Sequence, residues 1–137
     1  MKKKIDSLDL QLLSILGQNL TPNFSEVAKI LNTSPSTIYR RVNELKRLGV
    51  IKGFNVKIDY SMLGKNYFVL FYVKLKEKNE LKQLKQIEGV EEILVPLGEW
   101  DAIIKVRASN IKQLSQIDEK ISNFIISKKT EIVLKEL

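Results

Sequence analysis

The apolar positions of the chain change period near its middle. In SLDLQLLSIL, Leu8, Leu12, Ile15 and Leu16 fall at helical spacing, with Ser7 or Asp6 available as N-cap. A break at Thr21-Pro22 precedes NFSEVAKIL, where Phe24, Val27, Ala28 and Leu31 form one stripe. Asn23 and Glu26 stand at the N-cap and N3 spacing of a capping box, and Asn32 suits a left-handed exit. Ser34 and Pro35 are a cap and a first-turn residue, so a third helix starts there and runs to a C-terminal glycine, Gly49. Two helices separated by about three residues match a helix-turn-helix, whose second helix normally enters the DNA major groove.

After Gly49, Val50, Phe54, Val56 and Ile58 suggest extended chain, read either as a wing on DNA or as a strand joining two domains. SMLGKN, residues 61–66, is a connecting turn. The pattern then becomes that of buried strands. YFVLFYVKL (67–75) is rich in aromatic and β-branched residues, and EEILVPL and DAIIKVRA are two strands flanking Gly98-Glu99-Trp100. ELKQLKQI is a short helix, NIKQLSQIDEKISNF a long amphipathic one, and TEIVLKEL closes as a strand. The two helices are identical at five of eight positions, 30 residues apart, as a duplicated βαβ unit would be, although Lys/Gln/Leu bias makes chance matches easy. The order β-α-β-β-α-β is the ferredoxin-like split βαβ arrangement. The expected architecture is therefore α+β. A helix-turn-helix, winged-helix-like domain (1–53) is joined by an extended strand and linker (54–66) to a βαββαβ domain (67–137). Such a sheet has helices on one face only, and a second copy packed sheet to sheet is the economical cover for the other.

Helical geometry divides the faces of the third helix. At about 100° per residue with Ile38 at zero, Val42, Leu45 and Leu48 cluster within roughly 80° of it, the core side. Ser36, Arg40, Asn43 and Arg47 fall between roughly 140° and 200°, flanked by Tyr39 and Lys46. That outward stripe holds groups that hydrogen-bond base edges and phosphates, with no acid among them and Glu44 to one side. Arg41 lies beside the core face, as a structural residue or a phosphate contact. A solvated helix face usually mixes signs for i,i+4 pairing, so the stripe favours nucleic acid. The candidate DNA contacts are Ser36, Thr37, Tyr39, Arg40, Arg41, Asn43, Lys46 and Arg47.

Charge agrees. Of a net +7, +6 lies in residues 1–58, where ten Lys/Arg meet four Asp/Glu. A polyanion partner for the first half fits, as does a Lys-rich surface kept for solubility. At 44% apolar residues the chain can bury a core. It has no cysteine and no histidine, which removes disulfides, thiolate metal sites, and the commonest general base and metal ligand. No catalytic, metal or cofactor site is expected. No apolar run reaches a membrane span and MKKKIDSLDL lacks a signal-peptide core, so the expectation is a soluble cytoplasmic protein.

These segments together resemble the Lrp/AsnC family, the feast/famine transcription regulators, over nearly the whole chain. The resemblance runs from IDSLDLQLLSIL through EVAKILNTSPSTIYRRVNELKRLGVIKGF to the βαββαβ half with GEWD, and SPSTIYRRVNELKRLGVIKG is its most specific piece. It implies a DNA-binding regulator that dimerises through the second domain, with octamers as the further assembly and amino acids bound in many members. Asn32 stands where the family often has Gly. The family's Gly-x-x-Asp effector loop corresponds here to Gly98, Glu99, Trp100 and Asp101. From the residues alone the same stretch reads as a tight hairpin in which Gly supplies an unusual φ and Asp caps the turn. The leading expectation is a sequence-specific transcriptional regulator of double-stranded DNA, modulated by an amino acid at a subunit interface. Alternatives are a nucleoid-like architectural binder, a sensing module with vestigial DNA contacts, and an enzyme subunit of the siroheme-decarboxylase type. The last would need a histidine that the chain lacks, and the intact stripe speaks against the third.

Overall fold

The computed structural model describes residues 4–18 and 23–137. The Thr21-Pro22 break lies outside them. The chain forms two compact units, Met1–Ile58 and Asp59–Leu137, each with its own core.

In the first unit, α1 (Ser7–Gln18), α2 (Phe24–Ile30) and α3 (Pro35–Arg47) close on Leu12, Val27, Ala28, Ile38, Val42 and Leu45. Each start has a chemical cause. Asp6 and Asp9 cap α1 reciprocally, each carboxylate accepting the other's backbone N–H at 2.9 and 3.1 Å. Asn23 accepts the N–H groups of Ser25 and Glu26, and Ser34 accepts that of Thr37. The turn between α2 and α3 passes through Asn32 at φ +53°, which Asn tolerates better than other side-chain-bearing residues. α3 ends in a Schellman motif: Gly49 N–H reaches Lys46 O, Val50 N–H reaches Leu45 O, and Gly49 takes φ +78°.

The segment after α3 departs from the expected strand. Residues 51–59 carry no ladder, and Phe54, Val56 and Ile58 stay largely exposed. Alternation gave the right backbone tendency, but a strand also needs a partner, and none of the described residues supplies one. The 3₁₀ turn Tyr60–Leu63 follows, capped by Asp59 and closed by Gly64 at φ +72°.

The second unit is a four-stranded antiparallel sheet in the order β2-β3-β1-β4, with β1 Tyr67–Leu75, β2 Val90–Leu94, β3 Ala102–Ala108 and β4 Ile125–Ile132. This is the ferredoxin-like order. Two helices, α4 (Leu81–Lys85) and α5 (Ile111–Ser122), cover one face. Every second residue of β1 and β3, from Val69 to Leu75 and from Ala102 to Ala108, is buried beneath Leu84, Ile117 and Ile121. Gly89, at φ +93°, has no room for a side chain: a Cβ there would stand 2.6 Å from Ile117 Cδ1.

β4 corrects the sequence reading, which put the last strand at 130–137. The strand starts at Ile125 and includes Ser-Lys-Lys, poor strand formers whose pairing with β1 (Lys128 with Val73, Lys129 with Tyr72) overrides propensity. On the face away from the helices, Phe68, Leu70, Tyr72 and Ile103 are only partly covered. Arg107 lies at the edge of this face, stacked 3.8 Å from the Phe68 ring and 4.5 Å from that of Tyr60, and paired with Glu91 and Glu136. Among the described residues no helix is long and apolar enough to cross a membrane.

Candidate functional site

The two caps of α3 fix its orientation on the first unit's core, and with it the stripe expected to face DNA. Ile38, Val42 and Leu45 point inward, at no more than 1% exposure. Ser36, Tyr39, Arg40, Asn43, Lys46 and Arg47 are all exposed, and Thr37 is half-buried. The Ser34 hydroxyl lies 3.0 Å from that of Ser36 and 2.8 Å from that of Thr37, a small hydroxyl cluster at the helix start. Tyr39 packs edge-on against Phe24 (6.2 Å, 61°), which holds its phenol at the surface. Lys46 sits 5.2 Å from the Phe54 ring centre.

The basic residues divide by partner. Arg41 faces inward along α1, its Nη1 donating to Asp6 at 2.5 Å and to Asp9 at 3.2 Å. Hydrogen bonding from Arg41 holds the Asp6 carboxyl down at about 2. Asp9 is 3% exposed. Arg41 is thus engaged in tying α3 to α1. Arg47 donates Nε and Nη2 to the two oxygens of Glu44, at 3.0 and 2.6 Å, and this pairing raises the guanidinium pKa above its ordinary value. Sequence reasoning missed both carboxylate arrangements. Asp6-x-x-Asp9 beside a basic helix was the available signal for the first, and the i,i+3 spacing of Glu44 and Arg47 for the second.

In the second unit, the loop between β2 and β3 borders a cavity of about 260 Å³. Gly98, Trp100 and Asp101 line it, together with Lys78, Leu81 and Val95–Leu97. Glu99 is not part of the lining. The hairpin expected from the residues does not form as such. Gly98 is not among the positive-φ residues, and the Asp101 carboxylate accepts the Leu75 N–H of the neighbouring strand at 2.9 Å. Asp101 N–H in turn donates to Val73 O. Trp100 packs against Tyr72 at 6.2 Å. Lys78 was not anticipated, because it lies 20 residues before Gly98 and only the fold brings it there. No cluster of metal-ligating side chains occurs among the described residues.

Comparison with known proteins agrees with this division. Residues 5–52 match a family model described as winged helix-turn-helix DNA-binding. An HTH-type transcriptional regulator from Pyrococcus abyssi is 35% identical over 128 residues, 90% of this chain and 84% of that protein. Among solved structures, E. coli AsnC is 30% identical, covers 98% of this chain and 95% of its own, and superposes with a TM-score of 0.76. The feast or famine regulatory protein of M. tuberculosis, solved with L-methionine, shares the fold at 22% identity (97% and 94% covered, TM-score 0.85). A DNA-binding three-helix unit followed by a βαββαβ sheet, with these likenesses across nearly its whole length, places the chain in the Lrp/AsnC family of transcriptional regulators.

Proposed function

We propose that this regulator recognises specific double-stranded DNA sequences through α3, as a homodimer, and that a free amino acid modulates it. The observation that carries the reading is the stripe of Ser36, Arg40, Asn43 and Arg47, exposed on a helix fixed at both ends and buried along its opposite side. Arg and Asn are the residues that read guanine and adenine edges bidentately. Thr37, Tyr39 and Lys46 flank the stripe as backbone contacts, and Arg41 serves it indirectly by holding α3 against α1. The partly covered face of the second unit's sheet, with Phe68, Leu70, Tyr72 and Ile103, supports pairing with a second copy. A twofold pair would present two recognition helices to two half-sites.

The cavity beside Gly98 supports the effector. A free amino acid brings an ammonium and a carboxylate; Asp101 can accept from the first and Lys78 can donate to the second. Leu81, Val95, Leu97 and Trp100 suit an apolar side chain. A relative solved with L-methionine makes that amino acid a reasonable first probe.

Binding-site selection from a random duplex library, with and without each amino acid, tests the whole reading. A defined operator and a steep loss of affinity with salt are expected, because each phosphate neutralised contributes a log–log slope of about −0.9. Uniform binding of all sequences would make the protein an architectural binder, and binding without salt dependence would refute DNA recognition by this face. For the effector, calorimetry should find an amino acid that binds the wild type and is lost on Asp101→Asn, which keeps an acceptor for Leu75 N–H but removes the charge. Equal binding by both would refute the role given to Asp101. Sedimentation of the full chain should give a dimer or larger at micromolar concentration.

A further inference from the structure

Arg47 and Glu44 meet in a particular way. The carboxylate takes the side edge of the guanidinium, Nε at 3.0 Å and Nη2 at 2.6 Å. Of the five guanidinium donors this leaves the end edge, the Nη1 hydrogens and the second hydrogen of Nη2. Arg47 is 66% exposed, whereas Glu44 is 25% exposed and rooted against the helix. The pair therefore pivots at its acidic end. Glu44 is also one helical turn from Arg40, so it sits between the two arginines of the outward stripe.

This geometry treats the two kinds of DNA acceptor differently. A phosphate gains most from a full positive charge, yet the Arg47–Glu44 pair is neutral as a unit. Pulling Arg47 off the carboxylate would leave an anchored negative charge facing the backbone. A guanine edge carries no net charge and offers two acceptors, N7 and O6, that match the end edge of the guanidinium. Arg47 can engage it without leaving Glu44.

We infer that Glu44 is a specificity-determining residue: it withholds Arg47 from general phosphate binding and reserves it for base-edge readout. The inference rests on α3 being the DNA-reading helix, and its test separates the two. The full chain is titrated with a random-sequence 30-base-pair duplex by fluorescence anisotropy across a salt series, as wild type, Glu44→Gln, Arg47→Gln and the double variant. Gln keeps the size and an acceptor oxygen of Glu44, and far-UV circular dichroism of each variant checks that the helices persist. Glu44→Gln should bind random duplex more tightly, with a log–log salt slope steeper by about 0.9 per bound protomer, the signature of one added phosphate contact. The double variant should return to the wild-type slope. On a selected operator the gain should be smaller, so the ratio of specific to random affinity falls. An unchanged slope in Glu44→Gln combined with a shallower one in Arg47→Gln would mean that Arg47 already holds phosphate beside Glu44, and would overturn the inference. Weaker binding of both DNAs by Glu44→Gln would overturn it as well, making Glu44 a support for Arg47. A wild type that binds no duplex at all would instead remove the DNA reading of α3.

Discussion

The tie between α1 and α3 lends itself to a quantitative test. Arg41→Met keeps much of the side chain's length and apolar stem but deletes the donors to Asp6 and Asp9. Asp6, at 48% side-chain exposure, regains water and loses little. Asp9, with a side chain 5% exposed, is left as a buried carboxylate whose remaining partner is the Asp6 N–H. Removing one member of a buried pair costs about 3–5 kcal/mol. Because half of this triad is solvated, about 2–4 kcal/mol is the fair expectation. A unit of this length holds only about 3–9 kcal/mol in total at typical stability per residue. Native-state amide hydrogen exchange on the full chain reads the loss directly. At about 1.4 kcal/mol per tenfold, the slowest amides of α3, such as Val42 and Leu45, should exchange roughly 30- to 1,000-fold faster. Adding Asp9→Leu should restore part of the loss, since an apolar replacement of both partners removes the stranded charge. Acceleration of less than tenfold, or a double variant worse than Arg41→Met alone, would refute the account.

Three further outcomes follow from the same geometry. The Asp6 carboxyl is held at about 2 by Arg41, below its ordinary value near 3.8, so its contribution to the first unit is complete above the unfolded value and is lost as pH falls from about 4 through about 2; an acid titration of helix content should lose this component in Asp6→Asn. Gly89→Ala places a Cβ against Ile117 and the Arg107 carbonyl oxygen at φ +93°, and should lower stability in urea denaturation by about 1–3 kcal/mol; no shift in the midpoint would mean that β2 relaxes freely. Asp101→Ala removes the acceptor of the Leu75 N–H and should cost about 1–2 kcal/mol by the same measurement, with Asp101→Asn costing less.

What the sequence determined by itself is the part governed by neighbours along the chain. Asn23, Ser34, Pro35 and Gly49 mark the boundaries of α2 and α3 because caps act across three or four residues. The division of α3 into a buried and an exposed side is a matter of angle alone, and β1 and β3 announce themselves by β-branched and aromatic residues that are buried at every second position. What the tertiary structure decided depends on partners far off in sequence. Asp9 is buried, although it reads as a surface acid of the first turn, because Arg41 arrives 32 residues later to pair with it. Lys128 and Lys129 lie in a strand because β1 offers an open edge, and the alternating run from Phe54 to Ile58 remains unpaired because nothing among the described residues offers one. Asp101 has the residue type expected at an effector loop, but the direction of its carboxylate toward Leu75, and the presence of Lys78 across the same cavity, were set by how the strands and helices pack. Spacing along a chain carries information only as far as a turn of helix or a pleat of strand, and charges that meet across the fold lie beyond that reach.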